Sequence, residues 1–205
     1  MTVQTRDGVV RLAVEDWLRL IEEGDAALPA QLAQLPGVPE AVRAARRPLA
    51  RVQLDVASPR VAVRHHAWAG DEAVAVLAHV RGAEHQLMPL PPPFLAGFLA
   101  RLAGLRPHRV DGTREPRPVD EELLDDLFHP DDLRRSSAYA MLAARGAFAL
   151  ATAAPSGERR LAVVEDGRGL WAVEPEPGEE GWQLAPTTPT VLWRRMSAVG
   201  HDVRG

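Results

Sequence analysis

The segment QLMPLPPPFL at residues 86–95 returns 97 positions later as QLAPTTPTVL at residues 183–192, so Gln86, Leu87, Pro89, Pro92 and Leu95 fall on Gln183, Leu184, Pro186, Pro189 and Leu192. In both copies an alternating run hands over to a run with helical spacing. Proline is tolerated at that point because the N–H it lacks would have no partner in the first turn of a helix. A duplication of this kind constrains the fold only if the flanking elements repeat as well, and they do. RVQLDVA (51–57), VAVRHHAW (61–68) and EAVAVLAHV (72–80) alternate with the period of half-buried strands, separated by turns at Ser58-Pro59 and Ala69-Gly70-Asp71. AFALATA (147–153), RRLAVVE (159–165) and GLWAVE (169–174) repeat the pattern around Pro155-Ser156-Gly157 and Asp166-Gly167. A fourth strand near residues 84–88, and its counterpart near 182–185, leads into a helix with Leu95, Phe98, Leu99 and Leu102, or Leu192, Met196 and Val199, on its apolar face.

One helix of about ten residues cannot shield four strands, so the halves are expected to share a core. The expected fold is α+β: a pseudo-twofold repeat of an antiparallel meander plus helix, forming a central sheet flanked by helices. The expected organisation is a single domain over residues 1–205 with quasi-repeated halves at about 51–105 and 147–200. A strand and helix precede them at 8–24, where Val14, Trp17, Leu18 and Ile21 share a helical face before Gly24, and short proline-broken helices fill the span to Pro48. Helices are expected over 120–145, with Asp131 or Asp132 as an N-cap and Gly146 at the C-terminus. The Pro- and Arg-rich connector at 106–118 is expected to be the most mobile internal segment.

Composition removes whole classes of function. With no cysteine, thiolate nucleophiles, Cys-ligated zinc, iron–sulfur clusters and disulfides are excluded. A net charge of -4 leaves no electrostatic footprint for nucleic acid, and no apolar run of about 18 residues could span a bilayer, so neither nucleic acid nor membrane is an expected partner. The opening MTVQTRDGVVRLAVEDW lacks the apolar core of a secretory signal, which makes the cytoplasm the expected location.

Catalytic chemistry finds little to work with. His65 and His66, with His79 on an adjacent strand, could supply three imidazoles to a metal-dependent hydrolase, but neighbours in a strand point to opposite faces and no carboxylate stands at a ligand spacing. Ser136-Ser137 lacks a nucleophile elbow, phosphate-binding loops are absent, and the pairs Glu121-Glu122 and Asp125-Asp126 read as the wet face of an amphipathic helix. No catalytic residue, metal or cofactor is expected. Binding is the alternative to catalysis. Five Trp stand beside one Tyr and four Phe, and Trp68 shares a strand face with Arg64 and His66. Because Trp and Arg are enriched in interface anchors, Arg64, His66, Trp68 and Trp171 are the candidate partner-binding residues.

In arrangement the chain resembles the EspG-type chaperones of actinobacterial type VII (ESX) secretion systems. The residues that carry the resemblance are the N-terminal strand and helix with Trp17, RRPLARVQLDV leading into the first meander, the Gln-Leu-x-Pro joint in both halves, and the late Asp-Gly-Arg-Gly hairpin at 166–169. An actinobacterial source suits a chain whose 24 basic residues are all Arg, with frequent Ala, Pro and Gly. The resemblance implies a quasi-twofold α+β fold and a non-enzymatic cytoplasmic chaperone that keeps a secreted helical substrate, WXG-type or PE/PPE-like, soluble before export. The connection Ser58-Pro59-Arg60 is too short to be the long substrate-contacting loop of mycobacterial members, so the client contact is expected to differ from theirs. Two other functions remain open on the residues: the hydrolase built on His65, His66 and His79, and a client-free structural or regulatory homodimer.

Overall fold

The computed structural model describes residues 4–6, 9–23, 28–107, 114–178 and 181–202. Two short strands, β1 (Gln4–Arg6) and β2 (Val9–Ala13), precede helices α1 (Val14–Glu23), α2 (Ala30–Ala33) and α3 (Val38–Arg46). The first meander is β3 (Ala50–Ser58), β4 (Val61–Ala69), β5 (Val74–Arg81) and β6 (Glu84–Leu90), followed through a single 3-10 turn at Pro92–Phe94 by α4 (Leu95–Leu102). After an edge strand β7 (Arg117–Val119) come α5 (Glu121–Asp126) and α6 (Asp132–Leu142). The second meander is β8 (Ala144–Ala154), β9 (Gly157–Asp166), β10 (Gly169–Pro175) and β11 (Trp182–Thr187), and α7 (Pro189–Asp202) follows it.

All of the described strands join one antiparallel sheet in the order β1-β2-β6-β5-β4-β3-β8-β9-β10-β11-β7. The meanders meet edge to edge where β3 pairs with β8, and Leu54 faces Leu150 there. Their ladders correspond rung by rung. Val52 is opposite Ala67, Ala67 opposite Val76, and Val76 opposite Met88. In the second half Phe148 is opposite Val163, Val163 opposite Ala172, and Ala172 opposite Ala185. The offset is 96 for the first three strands and 97 for the fourth, because the loop joining Pro175 to its partner Trp182 is one residue longer than the one joining His79 to His85. The repeated phrase, lying on the fourth strand and its helix, thus carries the larger offset.

Helices cover the two faces differently. On one face α4 and α7 lie side by side, and Leu95, Leu99, Leu192 and Met196 pack onto Val52, Leu54, Val76, Phe148, Leu150 and Val163 in one cluster drawn from both halves. Val199, placed by the sequence on the same helical face, lies outside the residues whose side chains are described. On the opposite face α1 to α3 cover only the first half, where Trp17, Leu20 and Val42 meet Ala75, Leu77 and Leu87. Helices α5 and α6 cover the second, where Leu127, Tyr139 and Leu142 meet Val164, Trp171 and Leu184, and α6 extends to Ala57 at the end of β3.

One local expectation is corrected. Helix α6 ends at Leu142, not at Gly146, because Ala143 takes the left-handed conformation (φ 52°) and the chain enters β8 at once. Asp131 is its N-cap, accepting from the N–H groups of Leu133 and Arg134. In the connector, residues 108–113 lie outside the described set. Its C-terminal part is fixed as β7 on β11 and by Arg114, which donates to the carbonyls of Leu170 and Thr187. The joints themselves are core: Leu87, Leu184, Leu95 and Leu192 are 4%, 0%, 1% and 0% exposed. Truncating any of the four to Ala should cost about 2–5 kcal/mol in chemical denaturation, through lost burial and the cavity left behind.

Candidate partner-binding surface

Because the two helical layers on the second face stop short of each other, the middle of the sheet between them is bare. Alternation along the strands and the pairing registers lay its side chains out as a grid over β4, β3, β8 and β9. One row is Trp68, Arg51, Ala153 and Glu158; the next is His66, Gln53, Ala151 and Arg160; the third is Arg64, Asp55, Ala149 and Ala162. Ala149, Ala151 and Ala153 make β8 a trench, one strand wide, between taller polar side chains. A groove of about 380 Å³ opens at its Trp68 end, rimmed by Leu18 of α1, Arg51, His66 and Arg160.

The polar residues are partly committed to one another. The Asp55 carboxylate accepts from Arg64 Nε at 2.6 Å and from Gln53 Nε2 at 2.7 Å, which fixes that row, and Glu158 lies 4.0 Å from the Arg160 guanidinium. Arg51 is exposed, and no partner is recorded for its guanidinium among the described residues. Trp68 keeps 8% of its surface, wedged between Trp17 (ring centroids 5.9 Å apart) and the stacked imidazole of His66 (5.9 Å).

Of the four residues singled out by the sequence, Arg64, His66 and Trp68 thus stand together on β4 beside the trench. Trp171 stands elsewhere: on β10, four strands and about 19 Å across the sheet, 3% exposed beneath the second helical layer, with the guanidiniums of Arg114 and Arg117 each 4.9 Å from its ring. Sequence alternation alone does not single out the arginine and alanine positions of β3, β8 and β9, although Ala149, Ala151 and Ala153 stand at every other residue as one strand face.

The histidines do not form a metal centre. His65 projects to the opposite face from His66, and its Nδ1 accepts the backbone N–H of His79 at 3.0 Å. The imidazole that joins His66 and His79 on their face is His85, whose ring centroid is 6.5 Å and 5.4 Å from theirs. Both ring nitrogens of His85 face carbonyls, of Ala83 and Arg64, and His79 Nε2 faces the Gly82 carbonyl. Among the described residues no group of three or more potential ligands is placed to hold a metal ion. Burial, then the neighbouring His79, pushes His65 down to about 4, and burial followed by His85 and Arg64 lowers His66.

No family model and no curated protein matches this chain. Among solved structures, it is similar to the type VII secretion system chaperone EspG5 of Mycobacterium tuberculosis, solved in complex with a PE25–PPE41 dimer. The likeness has a TM-score of 0.53 over 93% of this chain and 95% of that one, at 13% identity. The chain therefore has an EspG-like fold, as its arrangement of elements implied.

The depressed His65 value has a consequence for stability. The folded protein binds the proton less tightly than the unfolded chain, whose His titrates near 6.5. The contribution of neutral His65 is complete above that pH, falls as the pH drops through it, and is gone near pH 4, a loss of up to about 3 kcal/mol. Urea denaturation across that window should show the decline, and His65→Asn, which can still accept the His79 N–H, should flatten it.

Proposed function

We propose that this protein is a cytoplasmic, non-enzymatic secretion chaperone that caps one end of a helical client, a WXG-type or PE/PPE-like protein, and keeps it monomeric before export. The observation that supports this reading is the bare middle of the sheet, a shallow alanine trench between charged rims with a tryptophan at one end, in a fold shared with a chaperone solved in complex with a PE25–PPE41 dimer. Arg64, His66 and Trp68 are the contacts we assign from the sequence, and Arg51, Gln53 and Arg160 join them.

A stable interface takes about 800 Å² from each partner, more than a patch of this size supplies. The client must therefore also touch the rims, where α1 exposes Leu18 and α6 exposes Leu133 and Met141. Large apolar side chains at a helical tip would fill the trench that the alanines leave open, while the arginines at its edges fix orientation and raise the rate of encounter more than the affinity. Modest affinity suits a chaperone that must let go.

We also propose that the two halves form one domain related by a twofold axis passing near Leu54 and Leu150. Matching rungs, a shared α4/α7 core and the order of the strands all support it. Superposing the halves on their matched ladder positions should carry α4 onto α7.

The functional reading is tested by co-expressing the chain with small helical secretion-type proteins encoded beside it. A stoichiometric complex is expected, and Ala151→Trp, which fills the trench on an exposed face, should weaken it at least about tenfold while the melting temperature stays within a few degrees. Failure of every such protein to bind, or a complex indifferent to Ala151→Trp, would sink the reading.

A further inference from the structure

The outer surface of the α4/α7 layer, on the sheet face away from the trench, carries an exposed composition unlike the rest of the molecule. The chain as a whole has 28 acidic and 24 basic residues, yet α4 (LAGFLARL) has no carboxylate and α7 (PTVLWRRMSAVGHD) has only Asp202 at its very end. Arg101 and Arg194 project from these helices into solvent, and Arg106 follows α4. Arg195 is turned away to Glu174, at 2.6 Å.

Apolar groups share the surface. Phe94, Val191 and Trp193 keep 64%, 37% and 44% of their area exposed. The Trp193 indole lies over Gly97, 3.4 Å from where a Cβ would stand, so a flat aromatic edge is held at the surface where the two helices meet. Between the helices a groove of about 920 Å³ is lined by Arg101, Arg106, Pro189 and Trp193 among others, and among the described residues no acidic side chain lines it.

We propose that this face docks on an anionic lipid surface. Amphipathic aromatics settle at the headgroup level of a bilayer, and arginines beside them gain from the negative surface potential of a cytoplasmic leaflet. Among the described residues no helix is long and apolar enough to cross a membrane, so the attachment is peripheral and reversible. A second copy of the chain fits worse, because it would set the same arginines against one another. The sequence offers no sign of this face, since it is assembled from helices about a hundred positions apart. The inference does not depend on the client reading: the trench lies on the opposite face of the sheet and stays free when this one is occupied.

The test uses the full chain without any client. Co-sedimentation with phosphatidylglycerol-containing vesicles and with pure phosphatidylcholine vesicles should show binding to the first only, lost at about 0.5 M salt as screening shortens the reach of the charges. Arg101→Glu/Arg106→Glu should lower the partition coefficient about tenfold or more, while Arg60→Glu/Arg168→Glu, with the same change in net charge elsewhere, should leave it unchanged. Trp193→Ala should remove the blue shift of tryptophan fluorescence on vesicle addition. No binding to anionic vesicles would overturn the proposal and point to an acidic protein partner instead. Equal binding to neutral vesicles would overturn it too, as would a charge-reversed face that binds no worse than its control.

Discussion

The pairing of β3 with β8 is the contact on which the rest of the molecule depends. Each meander alone would be a four-stranded sheet with one helix too short to cover it and a long unpaired edge, which is both poorly buried and prone to pair with another chain. Joined through rungs such as Leu54 with Leu150, the two edges satisfy each other's N–H and C=O groups and the sheet becomes continuous. The two helices can then lie together over the seam, where Leu99 and Met196 share one cluster with residues of both meanders.

The same junction accounts for the bare face. Each half brings its own covering helices to the other side of the sheet, α1 to α3 against Trp68 and Leu77, α5 and α6 against Val164 and Trp171. Only α6 reaches the seam, at the end where Ala57 pairs with Ala147 and Arg135 donates to the Ser58 carbonyl. Over the rest of their length β3 and β8 lie uncovered at the centre of the sheet, and they carry the residues of an exposed surface: arginine, glutamine and alanine. A strip that is central, rigid and uncovered is a sound platform for recognition, because its backbone is held by hydrogen bonds on both sides and its side chains need no reordering to be met.

The electrostatics of the strip's β4 side follow from that burial gradient. His65, facing the shared core, stays neutral because a charge there would lose its hydration and the lone pair that holds the His79 N–H. His66, one residue on, faces the strip and stacks on Trp68, so a single dipeptide sets a fixed internal strut beside an accessible ring.

Much of this was legible in the order of residues alone. The period-2 runs, the turns between them and the doubled Gln-Leu-x-Pro joint specified two meanders each feeding a helix, because strand periodicity and the tolerance for proline in a helix's first turn are local properties. The cluster of Arg64, His66 and Trp68 followed from the same alternation within one strand. Other features depend on the distance between segments that the chain keeps far apart. Trp171 matches Trp68 in type and in strand context, but Arg114 and Arg117 lie against its ring from more than fifty residues away in sequence, and only their packing puts it in the core. Likewise His85 replaces His65 beside His66 and His79 because it lies on β6, next to β5, where no spacing could announce it. Local periodicity decides what each segment becomes; which segments share a face is decided by pairing register and by where the covering helices end, and both exist only once the sheet has closed on its seam.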